Sequence, residues 1–310
     1  MQYRKFGRTD MVVPEIGIGG GYITGKNNDS PDELAVSIVR RAMELGCTYI
    51  DTAPLYGTNH GKLYGYHRSE ICIGMALKDW HGPCTIATKV GCFPQDFDYK
   101  RDSVLRSCEQ SLKRLQRNTI DLLQIHQCEI PGFERIMETG GTLDGLRELQ
   151  KQGIVRYIGV TGYDLEILVR LVDTGIFDAV LNYNRYDLYT QEAKWRLLPV
   201  AARHNVAYVA GSPLHSGMLG ARRESRLESM AKRGENVQAA TERLARIDQL
   251  IAPYPDTLSQ MALRYLLSDP QVAVVIPSAS KVEQVEENVQ AGARGPLPSD
   301  LVEALEAREA

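Results

Sequence analysis

Four titratable residues end or follow short apolar runs. Asp51 and Tyr56 sit in IDTAPLYG, Lys89 in ATKVG and His126 in LLQIH. Singly, each has a plainer reading: a turn former, a rim residue, a solvent-facing cation and a satisfied core histidine. Together they form a proton-transfer group. A tyrosine hydroxyl ionises near pH ~10, too high for easy proton donation at neutral pH. A neighbouring ammonium favours the phenolate and lowers that value, and a carboxylate paired with the ammonium keeps it charged and in place. An imidazole beside the phenol can hydrogen-bond a carbonyl oxygen and orient it. Such a set suits moving a proton to or from an oxygen whose carbon gains or loses hydride. The sequence shows no nucleophile–base pair of the hydrolase type and no HxH or HExxH metal spacing.

These residues need a scaffold that brings them to one end. Short β-rich runs fall at 13–19, 48–53, 85–90, 120–126, 155–161, 179–184, 206–212 and 272–277. They are rich in Ile, Val, Leu and Ala and alternate only weakly, as strands buried on both faces do. Helical patterns lie between them at 31–45, 101–115, 143–151, 165–172, 192–203 and 282–291. Ser30-Pro31-Asp32-Glu33 reads as a cap, a first-turn Pro and two acids, and Gly46 and Gly153 read as residues just past helix ends. Eight β runs alternating with helical patterns predict an α/β fold with a parallel sheet of eight strands. An open sheet would accommodate them, but a closed (β/α)8 TIM barrel is the more economical reading because closure leaves no edge, and in it active groups gather at the C-terminal ends of the strands. Residues 4–12 read as a small β-hairpin outside the barrel. The charge-rich stretch 221–236 reads as a long loop or lid over the top face. No Pro/Gly/Ser-rich linker divides the chain, so 1–310 is taken as one domain.

IDTAPLYG, ATKVG, LLQIH, IGVTG and VVIPSASKVEQVEEN occur in this order, and in that order they resemble the aldo-keto reductase superfamily from Arg4 to about Asn288. The resemblance implies a barrel that binds a nicotinamide cofactor and reduces carbonyls or runs the reverse reaction. Tyr56 would be the general acid/base, Lys89 and Asp51 its tuning pair, and His126 the carbonyl-orienting group. Thr161 and Asn182 would hold the nicotinamide carboxamide. The Asn that usually follows is Gly162 here, and the usual ring-stacking aromatic is Gly211. Ser212, Pro213 and Leu214 would line the pyrophosphate. Ser278, Ser280 and Lys281 would sit near the adenosine phosphate, and Gln284, Glu287 and Asn288 near the adenine. Lys281 and a helix N-terminus could hold a 2′-phosphate, whereas Gln284 stands where some relatives have Arg. The balance modestly favours NADP(H) over NAD(H).

The stretch 58–68, with His60, Tyr64, Tyr66 and His67, is longer than the usual link and reads as a substrate-contacting lip; Tyr22 should overhang the same mouth. Gln127 follows His126 where relatives often have Asp. The region from Leu181 to Gly220 resembles the aldose 1-dehydrogenase branch, which would oxidise a sugar hemiacetal to a lactone. Two other readings remain open: a nucleotide-sensing regulatory subunit like the potassium-channel β-type relatives, and a metal-using barrel hydrolase.

The formal net charge of −3 leaves no basic excess for neutralising many phosphates, which disfavours a nucleic-acid partner. No apolar run approaches the ~18 residues of a membrane span, and the N-terminus has no signal-like apolar region. Six cysteines without a CxxC pair read as buried free thiols in a reducing compartment, and the expectation is a cytoplasmic enzyme acting on a small carbonyl or sugar.

Overall fold

The computed structural model describes residues 1–25, 29–57, 67–92 and 98–307. Two short strands, β1 (Tyr3–Lys5) and β2 (Val12–Pro14), form an antiparallel hairpin. Eight further strands make a parallel sheet in chain order: β3 (Ile18–Gly19), β4 (Tyr49–Asp51), β5 (Thr85–Val90), β6 (Ile120–Ile125), β7 (Val155–Gly162), β8 (Ala179–Tyr183), β9 (Ala207–Gly211) and β10 (Val272–Ile276). Bridges from Ile16 to Val275 and from Gly19 to Ser278 join the first strand to the last and close the barrel. The 13–19 run expected as one strand therefore divides. Its first half pairs with β1, and only Ile18–Gly19 enters the barrel.

Strand alternation sorts the side chains into two cores. Tyr49, Ala87, Leu122, Leu181, Val209 and Val274 point into the barrel, where Phe6, Met11 and Val13 of the hairpin segment pack beneath them. The outward residues Ile50, Ile86, Leu123, Val160 and Val180 meet the surrounding helices. Arg4 and Arg8 fasten the hairpin to the N-terminal ends of the barrel strands. Arg4 donates to the carbonyls of Leu267, Asp269 and Val272, and Arg8 to those of Gly175, Ile176 and Phe177.

The helices follow the expected pattern with two differences. The 192–203 pattern is two helices, Glu192–Arg196 and Leu198–Arg203, because Pro199 has no N–H with which to continue the first. The 221–236 stretch is mostly a helix, Arg223–Lys232, rather than a loop. It lacks an apolar stripe and contains no fully buried residue. Arg223 ties it to the helix Val237–Ile251 through a two-pronged pair with Asp248 at 2.5 and 2.7 Å. The helix Asp32–Glu44 begins one residue later than Ser30-Pro31 suggested, with Pro31 as its cap. Gly46 and Gly153 take the left-handed conformation expected just past a helix (φ +91° and +72°). All six cysteines are free, five of them buried and Cys84 partly so. Among the described residues no helix is long and apolar enough to cross a membrane.

Candidate active site

Period-2 alternation places Asp51, Lys89, Gln124, His126 and Thr161 on the inward face near the C-terminal ends of their strands. Asp51 lies opposite Ala87, so Lys89 falls two residues further along the same face. Lys89 is fully buried and charged-paired. Its Nζ donates to Asp51 Oδ1 at 2.5 Å and to the Thr52 carbonyl at 2.8 Å. Its third direction faces Tyr56, with Nζ 4.9 Å from the ring centroid. The Tyr56 turn is held from behind: His67 Nδ1 meets the Pro54 carbonyl at 2.7 Å, and Tyr56 N donates to Ala53 O. His126 stands edge-on to the phenol, with centroids 5.8 Å apart and ring planes at 88°.

The electrostatics refine the expected chemistry. Burial pushes the Tyr56 hydroxyl above its ordinary value; Lys89 pulls it down, and Asp51 pushes it up again. The phenol is thus not acidified overall, contrary to the reading from residue types alone. The ammonium acts in the expected direction, but withdrawing a phenolate from water costs more than the cation returns. Burial also works against the Lys89 ammonium. Asp51 and Tyr56 together outweigh it, so its pKa is raised and the group stays charged. His126 lies well below the usual imidazole range because of burial and then because of Lys89. It is therefore neutral at pH 7, and its buried Nδ1 has no hydrogen-bond partner among the described residues.

A groove of about 360 Å³ runs along the mouth between the ends of β9 and β10. Of the residues assigned to a cofactor from sequence, Ser212, Pro213, Leu214, Ser278, Ser280, Gln284, Glu287 and Asn288 line it. Tyr22 lines it too, with the Arg222 guanidinium 4.9 Å from its ring centroid. Lys281 is exposed and is not among the lining residues. The loop after β9 is wound tightly: Ser212, His215 and Ser216 all have positive φ (48°, 47° and 54°). Three side chains hold that winding. Asp187 binds His215 Nδ1 at 2.8 Å, Asn184 donates to Ser216 Oγ at 2.9 Å, and Arg222 donates to Ser216 O at 3.1 Å.

Thr161, Asn182 and Gly211 lie deeper, at the ends of β7, β8 and β9. Asn182 Nδ2 donates to the Gly162 carbonyl at 2.9 Å, while its buried Oδ1 has no hydrogen-bond partner among the described residues. A buried acceptor left open in this way fits an incoming N–H, as a nicotinamide carboxamide would supply. A side chain at 162 would push the carboxylate end of Glu129 aside, since its Cβ would fall 2.5 Å from Glu129 Oε2 and 2.9 Å from Cys128 Sγ. At Gly211 a Cβ would meet Leu181 Cδ2 at 2.8 Å.

Reasoning from sequence missed several site residues. Gln124 joins Asp51 to Thr161. Tyr183, level with Gly211 across the strand pair, has its hydroxyl pushed up by burial, with the Gln127 side chain drawing it partly back. Gln127 Oε1 accepts from Cys92 Sγ at 3.2 Å. The available signal was alternation: Gln124 is two residues before His126, and Tyr183 is two after Leu181. Of the proposed lip, His60, Tyr64 and Tyr66 lie outside the described residues.

A closed parallel barrel with a buried Lys–Asp pair, a phenol and a neutral imidazole at one mouth, beside a long groove, defines the class. The chain belongs to the Aldo/keto reductase family, whose model matches residues 15–309, and it is an oxidoreductase. It is 30% identical over 297 residues to L-galactose dehydrogenase of Arabidopsis thaliana, covering 94% of this chain and 88% of that one. It is 26% identical over 337 residues to the NADH-specific methylglyoxal reductase of Escherichia coli, covering 99% and 100%. Among solved structures, the holo form of aldo-keto reductase AKR11C1 from Bacillus halodurans superposes with a TM-score of 0.78 at 25% identity, covering 99% of this chain and 95% of that one.

Proposed function

We propose that residues 1–310 act as one domain that transfers hydride between C4 of a nicotinamide dinucleotide and the carbonyl carbon of an aldehyde, ketone or sugar. The observation that carries this reading is the contact of Tyr56 with both Lys89 and His126. When bound, the nicotinamide supplies or accepts the hydride. Tyr56 gives the carbonyl oxygen its proton, or takes one from the hydroxyl in the reverse direction. Its raised pKa keeps it protonated at neutral pH, and the Lys89 ammonium, which pulls the value down, eases release of that proton. Lys89, held by Asp51, offsets the charge left on the phenolate. Neutral His126 donates a hydrogen bond to the substrate oxygen and fixes its approach. Asn182 Oδ1 and Thr161 would hold the carboxamide, and the loop after β9 would meet the pyrophosphate.

The choice between cofactors turns on the outer groove. The sequence favours NADP(H) through Lys281 and a helix N-terminus. In the structure, the Ser280 N–H is already taken by Gln284 Oε1 at 2.8 Å. Glu287 adds a carboxylate to the wall, while Lys281 stands outside it. That arrangement leaves less for a 2′-phosphate, and we read NAD(H) as the better match. A second reading has its own support: the polar set Gln127, Tyr183 and Cys92 beside His126 suits a hydroxylated substrate. It fits oxidation of a sugar hemiacetal to a lactone, in line with the named L-galactose dehydrogenase relative.

The test is a panel of aldoses, aryl aldehydes and ketones, followed through the reduced-nicotinamide absorbance in both directions with both cofactors. Turnover of at least one class is expected, with tighter binding of NAD(H). No turnover, together with no quenching on nicotinamide addition, would remove the proposal. Tighter NADP(H) binding would reverse only the cofactor choice.

A further inference from the structure

Gln124 lies fully buried in the barrel interior. Its Nε2 donates to Asp51 Oδ2 at 2.9 Å, and its Oε1 accepts from Thr161 Oγ1 at 3.0 Å. The amide has only one workable orientation. An ionised carboxylate can only accept, so the NH2 must face Asp51, and the amide oxygen is left for the hydroxyl. Asp51 Oδ1 is taken by Lys89, so both carboxylate oxygens are satisfied. The result is a buried hydrogen-bonded path from Thr161 through Gln124 and Asp51 to Lys89, whose Nζ stands 4.9 Å from the Tyr56 ring centroid.

The backbone makes room for this path. Gln124 pairs with Lys89 on one side and with Gly159 on the other. A Cβ at 159 would sit 3.2 Å from Gln124 Cγ and 2.9 Å from the Ala179 carbonyl. The glycine therefore leaves the lane that the amide crosses. A strand interior is a costly place for glycine unless something must approach closely.

We propose that Gln124 is a positioning residue that sets both the strength of the proton donor and the polarity of the carboxamide site. By donating to Asp51 it draws off part of the carboxylate's charge, so that Lys89 is less fully neutralised and pulls harder on Tyr56. By accepting the Thr161 proton it leaves Thr161 with only lone pairs to offer. Thr161 can then accept from a ligand N–H but cannot donate to a carbonyl. One amide thus ties the place where a carboxamide would rest to the group that moves the proton. The inference rests on the reading of Tyr56 as the acid.

Its test uses the whole protein and two variants. Gln124→Met keeps the volume and loses both hydrogen bonds. Tyrosinate absorbance is titrated without cofactor or substrate, and the Tyr56 signal is isolated by difference against Tyr56→Phe. The Tyr56 midpoint is expected to rise by about one pH unit in Gln124→Met, and kcat at neutral pH to fall about tenfold. Gln124→Glu sharpens the test. In its protonated form the new carboxyl can donate to Asp51 and accept from Thr161 as the amide does. This variant should match the wild type at low pH and lose turnover as that proton leaves.

An unchanged midpoint and pH profile in folded Gln124→Met would overturn the inference. If that variant does not fold, a pH-independent, wild-type-like Gln124→Glu would overturn it equally. Failure of the underlying reading looks different: Tyr56→Phe would keep normal turnover, whatever Gln124 variants do.

Discussion

On the β4–β7 side of the mouth, Asp51, Lys89, Gln124 and Thr161 are almost wholly buried and satisfy one another across four strands. Along the outer groove, Ser280 and Gln284 satisfy each other within five residues of chain, and Glu287 takes a hydroxyl from Thr257 at the surface. The first set is ordered by the fold itself, and its members have no water to replace a lost partner. The second is ordered locally, and solvent can stand in for any contact it loses. The proton-transfer end should therefore be intolerant of change, and the nucleotide end adjustable.

The sharpest way to break that contrast is Lys89→Met. It leaves Asp51 as an unpaired buried charge, and the expected loss is ~3–5 kcal/mol of folding stability, read as a lower urea midpoint. A loss under 1 kcal/mol would mean that the interior is wetter than its burial implies. Next comes Tyr56→Phe, expected to cut kcat by about 100-fold or more while leaving cofactor affinity within about twofold. Turnover near wild type would take the acid/base role away from Tyr56.

At the adjustable end, Gln284→Arg should release Ser280 N–H and add a planar cation. The expected result is about tenfold tighter NADP(H) binding, with NAD(H) and stability little changed. No shift in the ratio of the two dissociation constants would place the 2′-position elsewhere.

The smallest effect concerns pH. His126 is neutral in the folded state because burial and Lys89 depress its pKa, while the unfolded chain binds its proton near pH ~6.5. Between those two values the unfolded state carries more protons, so stability falls as pH drops below ~6.5, by up to about 1.4 kcal/mol per unit. His126→Asn should flatten that slope in acid denaturation series. An unchanged slope would assign it to other groups, such as His67, which burial also shifts downward.

The same contrast governs what could be read from the chain alone. Strands buried on both faces announce themselves, and the 85–90 and 101–115 runs became β5 and the helix Arg101–Leu115 without adjustment. The 13–19 run failed because an apolar stretch does not say which neighbour it pairs with. The helix Arg223–Lys232 failed because only Leu227 and Met230 pack against the core among charged neighbours, too few to print a helical stripe. Asp51, Tyr56, Lys89 and His126 stood out because charged and polar groups at the ends of apolar runs need a reason. Gln124 and Tyr183 did not, since neither carries a charge and only their alternation with a neighbour places them inside. Tyr56 shows the limit in another form. The ammonium beside it was foreseeable, but how far burial would outweigh that ammonium was not.

The hairpin beneath the barrel has a consequence for solvent traffic. With Phe6, Met11 and Val13 stoppering the lower opening, exchangeable hydrogens on Lys89 and Gln124 are expected to meet bulk water chiefly at the end where Tyr56 and His126 stand. Occupying the upper mouth should then slow deuterium uptake at the β5 and β6 amides far more than removing the stopper's outer charges would speed it. The vessel drains from one side.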